Sequence, residues 1–368
     1  MICSKCIMSE EVDPKISFDD KNVCNHCFEY DEMIANRISS KSALQKIVNK
    51  IKSKGKNKTY DCIIGVSGGV DSTYLAYLAK KKYGLNPLAI HFDNGWDSEL
   101  AVKNIEKTLR NLEIDLFTYV VDWNEFKDIQ LSFLKASVPD GEVPTDHAIN
   151  SILWQEASKR GIKFILSGMN AKTESTKVDD WSYGHSDWRY IKGIQKKFGK
   201  KKIKTYPHYS FINLFFYTFV RGIRQVALLN YEDYDNKEAM DVLENKLGWK
   251  YYGGKHHESV YTRWYQGFFL PKKFSIDKRY THFSNLVRNE NMTREEALIK
   301  IQEPSYDIDL QKQDTEYVIK KLDITKDEYL EILNKEVHSF RDYKNSYKVV
   351  QNLKAIVSFL RTKNLYPK

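Results

Sequence analysis

The chain has 368 residues, a net charge of +9 and a hydrophobic content of 42%. Together with a mean hydropathy of −0.57, this composition is typical of a soluble globular protein of two or three domains. No apolar run reaches the roughly 18 residues of a membrane span, and the N-terminus lacks the layout of a signal peptide. We therefore expect a cytoplasmic protein. The modest positive charge does not choose between nucleic acid, a nucleotide and an acidic partner.

Four of the five cysteines form two CxxC pairs within the first 27 residues. This spacing predicts a four-thiolate zinc site in a module at 1–30, and the site should be structural because no coordination position stays open. Disulfides are disfavoured in a reducing compartment, whereas an iron–sulfur cluster remains an alternative. His26 is expected beside the metal rather than on it, and Cys62 reads as a buried strand residue. The predicted ligands are Cys3, Cys6, Cys24 and Cys27.

A charged helical segment at 31–58 is predicted to link this module to an α/β domain at 59–303. Strand and helix patterns alternate from Tyr60 to Gly168, which predicts a parallel sheet with helices on both faces. Such sheets bind ligands beyond the carboxyl ends of their strands. Three loops follow predicted strands there, and we expect them to meet in one crevice: 67–72, 92–96 and 167–175.

The remaining sequence, 304–368, is predicted to be a helical C-terminal extension. Capping boxes at Thr293–Glu296 and Thr325–Glu328 predict two helix starts. The apolar stretch Phe211–Val220 is too short for a membrane span, and we expect a buried helix there. The basic run Lys196–Lys204 is interpreted as a solvated loop, with a patch for an anionic substrate or partner as the alternative.

The first of the three loops reads Ser-Gly-Gly-Val-Asp-Ser, at Ser67–Ser72. Two glycines between a strand and a helix let the backbone approach a phosphate, which the helix N-terminus then favours. A Walker loop would need a lysine at its end, and this loop has none. The loop therefore predicts phosphate binding of a kind unlike that of kinases and GTPases.

This loop resembles the SGGxDS motif of the PP-loop ATP-pyrophosphatases, which include GMP, NAD and asparagine synthetases and several tRNA-modifying enzymes. The resemblance implies ATP cleavage between the α and β phosphates, with adenylation of a substrate oxygen. "HFDNGW" is similar to the family's second strand and turn, and "SGMNAKTE" to a fourth-strand motif. Mg²⁺ is implied at Asp71 and Glu174, although each acid could instead cap a helix. The implied ATP and pyrophosphate residues are Ser67, Gly68, Gly69, Asp71, Ser72, Asp93 and Gly168.

The wider chain resembles the N-acetyl sugar amidotransferases of bacterial surface-polysaccharide biosynthesis, over about 1–303. The shared sequences are the double CxxC, "SGGVDS", "DNGW", "PTDHAI", "KHHES", "PKKFSIDKR" and "MTREEA". The resemblance implies conversion of an acetamido group to an acetamidino group with ATP and ammonia, releasing AMP and pyrophosphate. The substrate would be a sugar nucleotide or a nonulosonic acid, for lipopolysaccharide O-antigen, capsule or nonulosonic acid synthesis.

Candidate substrate residues lie in the shared segments. Lys272, Lys273 and Arg279 could clamp a phosphate or a sugar carboxylate, although exposed basic loops are usually solvated. Asp146 and His147 begin a predicted helix, so a helix cap and a surface histidine are the alternative interpretation. Weaker candidates are His185, His256, His257 and Arg263.

The cysteines also indicate whether this chain can release ammonia from glutamine. Glutaminases use a cysteine nucleophile, and every cysteine here is assigned to the metal or to a strand. The resemblance implies a separate class I glutaminase subunit, resembling that of imidazole-glycerol-phosphate synthase, with a cyclase-like subunit as a further partner. The alternative function is tRNA modification: thiolation needs a reactive cysteine near ATP, whereas a lysidine-type enzyme needs none. We expect no nucleic-acid partner, and a non-enzymatic scaffold is disfavoured by the intact loop.

Overall fold

The structure, a computed structural model, describes residues 1–37, 41–254 and 256–352. Five strands form one sheet in the order β3-β2-β1-β4-β5, and every neighbouring pair is parallel. The predicted parallel α/β architecture is therefore confirmed, although the edge strand β5 was not predicted. The strands are β1 Cys62–Gly65, β2 Pro87–Asp93, β3 Leu116–Val120, β4 Phe164–Ser167 and β5 Arg224–Ala227.

The helices that precede or accompany the sheet lie between residues 25 and 247. Two of them, at Val70–Tyr77 and Phe211–Phe215, continue into π-helical turns at Leu78–Lys82 and Phe216–Val220. Their bounds are α1 Asn25–Arg37, α2 Lys41–Gly55, α3 Val70–Tyr77, α4 Glu99–Leu112, α5 Trp123–Ala136, α6 Val143–Lys159, α7 Ala171–Glu174, α8 Trp188–Phe198, α9 Phe211–Phe215 and α10 Asn236–Leu247.

Six further helices follow in the C-terminal part of the described chain. Thr293 and Thr325 each accept the backbone N–H of a glutamate three residues on and are capped in return, which confirms both predicted capping boxes. Residues 353–368 of the predicted extension lie outside the described residues. The bounds are α11 Val260–Trp264, α12 Leu270–Phe274, α13 Arg279–Arg288, α14 Arg294–Lys300, α15 Ile308–Leu322 and α16 Lys326–Asn334.

Two hydrophobic cores cover the two faces of the sheet. Strand β1 contributes side chains to both cores. Ile63 belongs to the core with α5, α6 and α8, and Ile64 belongs to the core with α3, α4 and α10. Successive strand residues point to opposite faces, so a strand buried on both sides is apolar throughout. Cys62 is fully buried in this strand, as predicted.

The strand order creates a switch point beside β1. The chain runs from β1 outward to β2 and β3, then returns to place β4 on the other side of β1. The carboxyl ends of β2, β1 and β4 are therefore neighbours, and the three predicted loops leave the sheet side by side. Ligands of open α/β sheets bind at such a point.

One prediction about burial is wrong. The stretch Phe211–Val220 is helical, but its outer side faces solvent: Ile212 is 80% exposed, Phe215 60% and Phe219 64%. The helix leads into the edge strand β5, and Leu214 and Tyr217 on its inner side pack against the core. Among the described residues, no helix is long and apolar enough to cross a membrane.

Candidate active site at the switch point of the sheet

The loop after β1 has a backbone suited to an anion. Gly68 adopts φ +79, and an added Cβ there would stand 2.6 Å from the carbonyl oxygen of Ala101. Only glycine fits this left-handed and crowded position. Gly69 is the extended residue before α3 and has no side chain that could cap this helix start. The N-terminus of α3 therefore suits an anion, because the first amides of a helix lack partners within the helix.

The two serines of the loop face each other across it. Ser67 Oγ and Ser72 Oγ are 3.3 Å apart, and the Gly69 N–H donates to Ser67 Oγ at 3.3 Å. Ser67 is exposed to solvent. The two hydroxyls therefore lie close enough together to donate to the oxygens of one phosphate group.

Gly168 supports the loop by permitting close packing. A Cβ at Gly168 would lie 3.2 Å from the Asp71 carbonyl carbon and 3.2 Å from the Ser72 nitrogen. Because both neighbours are backbone atoms, a side chain here would displace the start of α3. The structure places Gly168 behind the phosphate loop as a packing position.

A segment around 249–260, whose role the sequence did not predict, lies over the loop. Trp249 Nε1 donates to the Gly68 carbonyl at 2.9 Å, and the Val70 N–H donates to the Tyr252 hydroxyl at 3.3 Å. The carbonyl of Glu258 accepts the N–H of Ser98 at 2.8 Å. The sequence marked this stretch by its aromatic residues and by the shared "KHHES" motif with His256 and His257, but neither signal indicated a contact with the loop.

The two predicted magnesium ligands share one neighbour. The Tyr234 hydroxyl donates to Asp71 Oδ1. Burial, followed by the negative charge of Asp71 and the smaller effect of Glu174, raises the pKa of Tyr234 well above its usual value. Both carboxylates therefore lie near this hydroxyl, next to the loop, where hard oxygen ligands suit Mg²⁺.

The turn after β2 joins the crevice to α6. Asp93 Oδ1 accepts the Gly95 N–H at 2.8 Å, which fixes a tight turn. Next to it, Asn94 Nδ2 lies 3.4 Å from Thr145 Oγ1, at the start of α6. The structure thus brings the predicted nucleotide-side turn against the segment that carries Asp146.

A polar cluster surrounds Asp146. This residue is exposed at the start of α6, yet surrounding protein raises the pKa of its carboxyl group, while the positive charge of His185 opposes that shift. Smaller effects come from Glu142, Lys278 and His256. Lys278 Nζ lies 3.0 Å from Glu142 Oε2. Asp146, His185 and His256 were predicted candidates, whereas Lys278 was overlooked although it lies within "PKKFSIDKR".

His256 connects this cluster to the phosphate loop. Its Nδ1 lies 3.6 Å from Glu258 Oε1, the atom that a Cβ on Gly69 would approach to 3.4 Å. A molecule could therefore contact the loop at one end and the Asp146 cluster at the other. Such a two-ended crevice suits a nucleotide next to a second substrate.

The structure does not bring His147 to this crevice. Its ring is fully buried, its Nδ1 donates to the His185 carbonyl at 2.6 Å, and its Nε2 accepts the Tyr209 N–H at 3.3 Å. Burial lowers the pKa of His147 to about 4. With both nitrogens engaged, these contacts favour a packing role.

The basic candidates of "PKKFSIDKR" are used within the fold. Lys273 Nζ donates to the carbonyls of Ile332 at 2.7 Å and Lys335 at 2.7 Å, at the end of α16. Arg279 pairs with Asp277 at 2.7 Å and donates to the Glu303 carbonyl at 2.7 Å. These contacts argue against a clamp role for either residue. Exposed Lys272 stays a candidate.

The weaker candidates Arg263 and His257 also have packing contacts. Arg263 forms two 2.7 Å hydrogen bonds with buried Asp314, which ties α11 to α15. His257 packs edge-on against Tyr306, with ring centroids 6.2 Å apart, and burial lowers its pKa.

The four N-terminal cysteines converge as predicted. Their Sγ atoms all lie within 4.8 Å of one another, with separations of 3.8 Å for Cys3–Cys27 and 3.7 Å for Cys6–Cys24. A single tetrahedral ion with metal–sulfur bonds of ~2.3 Å requires sulfurs ~3.8 Å apart. In a cubic iron–sulfur cluster each thiolate binds a different iron and lies farther from the others. The donor set therefore fits one ion.

Two arginines hold this cysteine cluster against the C-terminal helices. Arg288 donates to Cys27 Sγ at 3.3 Å and Cys6 Sγ at 3.2 Å, and Arg294 donates to the Cys3 carbonyl at 2.9 Å. His26 pairs with Asp13 at 2.8 Å and stands beside the cluster rather than within it, as predicted.

Two parts of the chain match known families. Residues 41–134 match NAD synthase, and residues 258–354 match the C-terminal domain of the WbpG-like LPS biosynthesis proteins. The parallel sheet, the SGGxDS loop at its switch point and the NAD synthase match together support an enzyme of the PP-loop ATP-pyrophosphatase type. The second match adds a likeness to the WbpG-like C-terminal domain.

Two curated proteins are similar to parts of this chain. The chain is 26% identical over 215 residues to an uncharacterised protein of Methanocaldococcus jannaschii, covering 57% of this chain and 69% of the relative. It is 34% identical over 97 residues to the glutamine-hydrolysing GMP synthase of Wigglesworthia glossinidia brevipalpis. That alignment covers 26% of this chain and 17% of the synthase.

Solved structures resemble the chain only distantly. The NH3-dependent NAD synthetase of Campylobacter jejuni aligns with TM-score 0.30 and 15% identity, over 76% of this chain and 93% of its own. The U34-tRNA thiolase NcsA of Methanococcus maripaludis, solved with its 4Fe-4S cluster, aligns with TM-score 0.34 and 15% identity, over 92% and 95%. Likenesses at this level carry no further argument here.

Proposed function

We propose that this enzyme converts an acetamido group of an activated N-acetyl sugar into an acetamidino group, using ATP and ammonia, in the synthesis of a bacterial surface polysaccharide. The observation that carries the proposal is the polar cluster around Asp146, which is linked to the Ser67–Ser72 loop through His256 and Glu258. The WbpG-like segment contributes Lys278 to it. A sugar substrate would bind there while ATP occupies the loop.

The chemistry fits the two-ended crevice. The amide oxygen attacks the α-phosphorus of ATP, the bond to pyrophosphate breaks, and an adenylated imidate forms. Ammonia then adds to the imidate carbon, loses a proton, and AMP departs with the former amide oxygen. The amides at the α3 N-terminus and the hydroxyls of Ser67 and Ser72 would bind the departing pyrophosphate. Asp146, whose pKa is raised, would orient the acetamido group and accept the proton.

Two metal ions complete the proposal. Asp71 and Glu174 would hold Mg²⁺, which neutralises phosphate charge when bound. Zn²⁺ would bind Cys3, Cys6, Cys24 and Cys27, and a four-thiolate site leaves no position for a reacting water. Its contribution would be to stability alone.

Ammonia would come from a separate class I glutaminase. The chain has five cysteines; four belong to the metal cluster, and Cys62 is fully buried, with its pKa raised well above the usual value by burial. None is placed as a thiolate nucleophile. Isolated protein should therefore use free ammonium and leave glutamine intact.

The test is incubation with ATP, Mg²⁺, isotopically labelled ammonium and candidate UDP- or CMP-linked acetamido sugars. We expect labelled nitrogen in the sugar product, with AMP and pyrophosphate released. Heavy oxygen placed in the acetamido carbonyl should appear in AMP. Release of ADP and phosphate, or turnover with tRNA and none with sugars, would refute the proposal.

A pair of glycine variants tests the loop. Gly168→Ala should raise the KM for ATP at least about tenfold, since displacing the start of α3 by a few tenths of an ångström misplaces the phosphate donors. Gly65→Ala is the matched control, because its Cβ would meet only the flexible end of Leu153, at 3.4 Å. Equal KM values for the two variants would contradict the packing role given to Gly168.

A further inference from the structure

The outer side of the helical stretch 211–220 is an exposed apolar surface, which the proposed reaction does not use. Ile212, Phe215, Phe219 and Val220 are each at least 60% exposed. Phe211 and Phe216, at 41% and 40%, extend the same surface. Isolated exposed apolar residues are ordinary, whereas six within ten residues form a patch that calls for an explanation. We call these six residues the apolar patch.

The patch is held rigidly on the body of the protein. Leu214 and Tyr217 pack inward against the core, and the Tyr217 ring stacks on Trp154 with centroids 6.2 Å apart. The helix begins with a capping box between Ser210 and Asn213. Because the inward face and the cap fix this helix, its apolar outer side is presented without an ordering cost.

Cations border the patch. The Arg221 guanidinium lies over the Phe216 ring at 5.4 Å, and Arg224 follows, exposed, at the start of β5. Lys163 Nζ donates to the Arg221 carbonyl at 2.6 Å. Lys58 lies close to Lys163: burial lowers the pKa of Lys58, and the charge of Lys163 adds to that effect.

Acidic residues are absent from this part of the sequence. Between Asp187 and Glu232 the chain has ten lysines and arginines and no aspartate or glutamate. The basic run Lys196–Lys204 belongs to this interval, but its backbone binds the carboxylates of Asp128 and Glu125, so the charge beside the patch is that of Arg221, Arg224 and Lys163. An apolar face bordered by cations is complementary to a bilayer surface, whose headgroups are anionic and whose interior is apolar.

We propose that the apolar patch docks the protein onto the surface of an anionic lipid bilayer. The phenylalanine, isoleucine and valine side chains enter the boundary between headgroups and acyl chains, while Arg221, Arg224 and Lys163 contact lipid phosphates. A second copy of the chain fits less well, because a two-fold contact would bring the same cations face to face.

Docking through these cations leaves the Ser67–Ser72 loop free. Arg221, Arg224 and Lys163 lie at the amino ends of β4 and β5, whereas the phosphate loop follows the carboxyl end of β1. Because the strands are parallel, the three cations and the phosphate loop lie at opposite ends of the strands. Substitutions in the patch should therefore leave ATP turnover unchanged.

The experiment is sedimentation of the full chain with vesicles of phosphatidylcholine, with and without phosphatidylglycerol. We expect binding to the anionic vesicles, weakened by salt. The triple variant Ile212→Ser, Phe215→Ser, Phe219→Ser should bind at least about tenfold more weakly, and Arg221→Gln with Arg224→Gln about tenfold more weakly. The control is Ile299→Ser with Ile308→Ser, two residues 65% and 59% exposed on other helices, which should bind like the unaltered protein.

Three results would overturn the proposal. The first is binding of the triple variant equal to that of the unaltered protein while both retain ATP turnover. The second is equal binding to neutral and anionic vesicles. The third is a dimer, or a complex with a purified glutaminase, that the triple variant disrupts while the unaltered protein fails to bind vesicles.

Discussion

His147 shows how burial changes the meaning of a residue that looked like a substrate ligand. Its ring is stacked on Tyr209 with centroids 4.6 Å apart, and both nitrogens are hydrogen-bonded within the protein. The local sequence "PTDHAI" placed this histidine on a helix but could not tell which side of the helix is covered. The covering atoms come from 185 and 209, far along the chain.

We predict that His147 makes the protein sensitive to acid. Burial lowers its pKa in the folded state to about 4, whereas an unfolded histidine titrates near 6.5. The unfolded chain therefore binds the proton first, and the free energy of unfolding falls as pH drops from about 6.5 to about 4, by roughly 3 kcal/mol in all. Chemical denaturation between pH 7.5 and pH 4.5 measures this.

The variant His147→Asn isolates the effect. Its amide can still donate to the His185 carbonyl but does not titrate, so its stability should be lower at neutral pH and should depend less on pH. His338→Asn, in the C-terminal segment, is the control and should retain the pH dependence of the unaltered protein. Parallel pH curves for His147→Asn and the unaltered protein would show that another group is responsible.

At the scale of elements, a lysine of α12 donates hydrogen bonds to the carbonyl groups at the C-terminal end of α16. The last carbonyls of a helix have no partners within it, and a cation there is favourable. Lys273 supplies that cation, with Nζ also 3.1 Å from the Leu333 carbonyl. Its neighbour Lys272 is exposed on the same short helix. The sequence offered two adjacent lysines, and only the position of α16 distinguishes them.

We predict that Lys273→Met lowers the free energy of unfolding by about 1.5–3 kcal/mol, because charged hydrogen bonds to buried carbonyls are lost. Lys272→Met should change stability by less than about 0.5 kcal/mol. Urea denaturation compares the two variants, and ATP kinetics are measured alongside. A higher KM for ATP in Lys273→Met, without loss of stability, would instead support the phosphate-clamp role.

For the whole molecule, the cysteine cluster joins two distant parts of the sequence. Residues from positions 3 to 27 supply the sulfurs, while Arg288 and Arg294 come from the WbpG-like segment. Four thiolates binding a divalent ion would carry excess negative charge, and Arg288 is buried against two of the sulfurs. The N-terminal segment therefore packs against helices from the C-terminal half of the chain.

We predict that a chelator removes the metal and lowers the melting temperature. Arg288→Met should release metal about 10–100-fold more readily, because ligand sulfurs lose their hydrogen-bond donors. Arg294→Met is the matched control: its guanidinium contacts the carbonyls of Cys3 and Cys6 rather than sulfur, so metal release should change less. Metal release is followed with a chromogenic chelator, and equal rates in both variants would contradict the charge argument.

The features that sequence alone determined are the local ones. They are the phosphate loop (Ser67–Ser72), the paired cysteines, the capping boxes and four of the five strands. Each depends on residues within a short stretch, so the spacing and alternation of those residues are sufficient to predict it. The parallel sheet followed because alternating strands and helices leave few other arrangements. The four strands, both capping boxes and the convergence of the cysteines are confirmed, apart from element ends that differ by a few residues. Phosphate binding by the loop stays a prediction.

The tertiary structure alone decided which polar side chains reach the crevice and which surfaces stay uncovered. Lys278 pairs with Glu142, four residues before Asp146, while Lys273 and Arg279 bind carbonyls. The segment around Tyr252 contacts a loop about 180 positions earlier. The helix at 211–220 has the composition of a buried element, yet nothing in its own residues says what will pack on it. Burial is set by the partners an element meets, and those partners are distant in the chain.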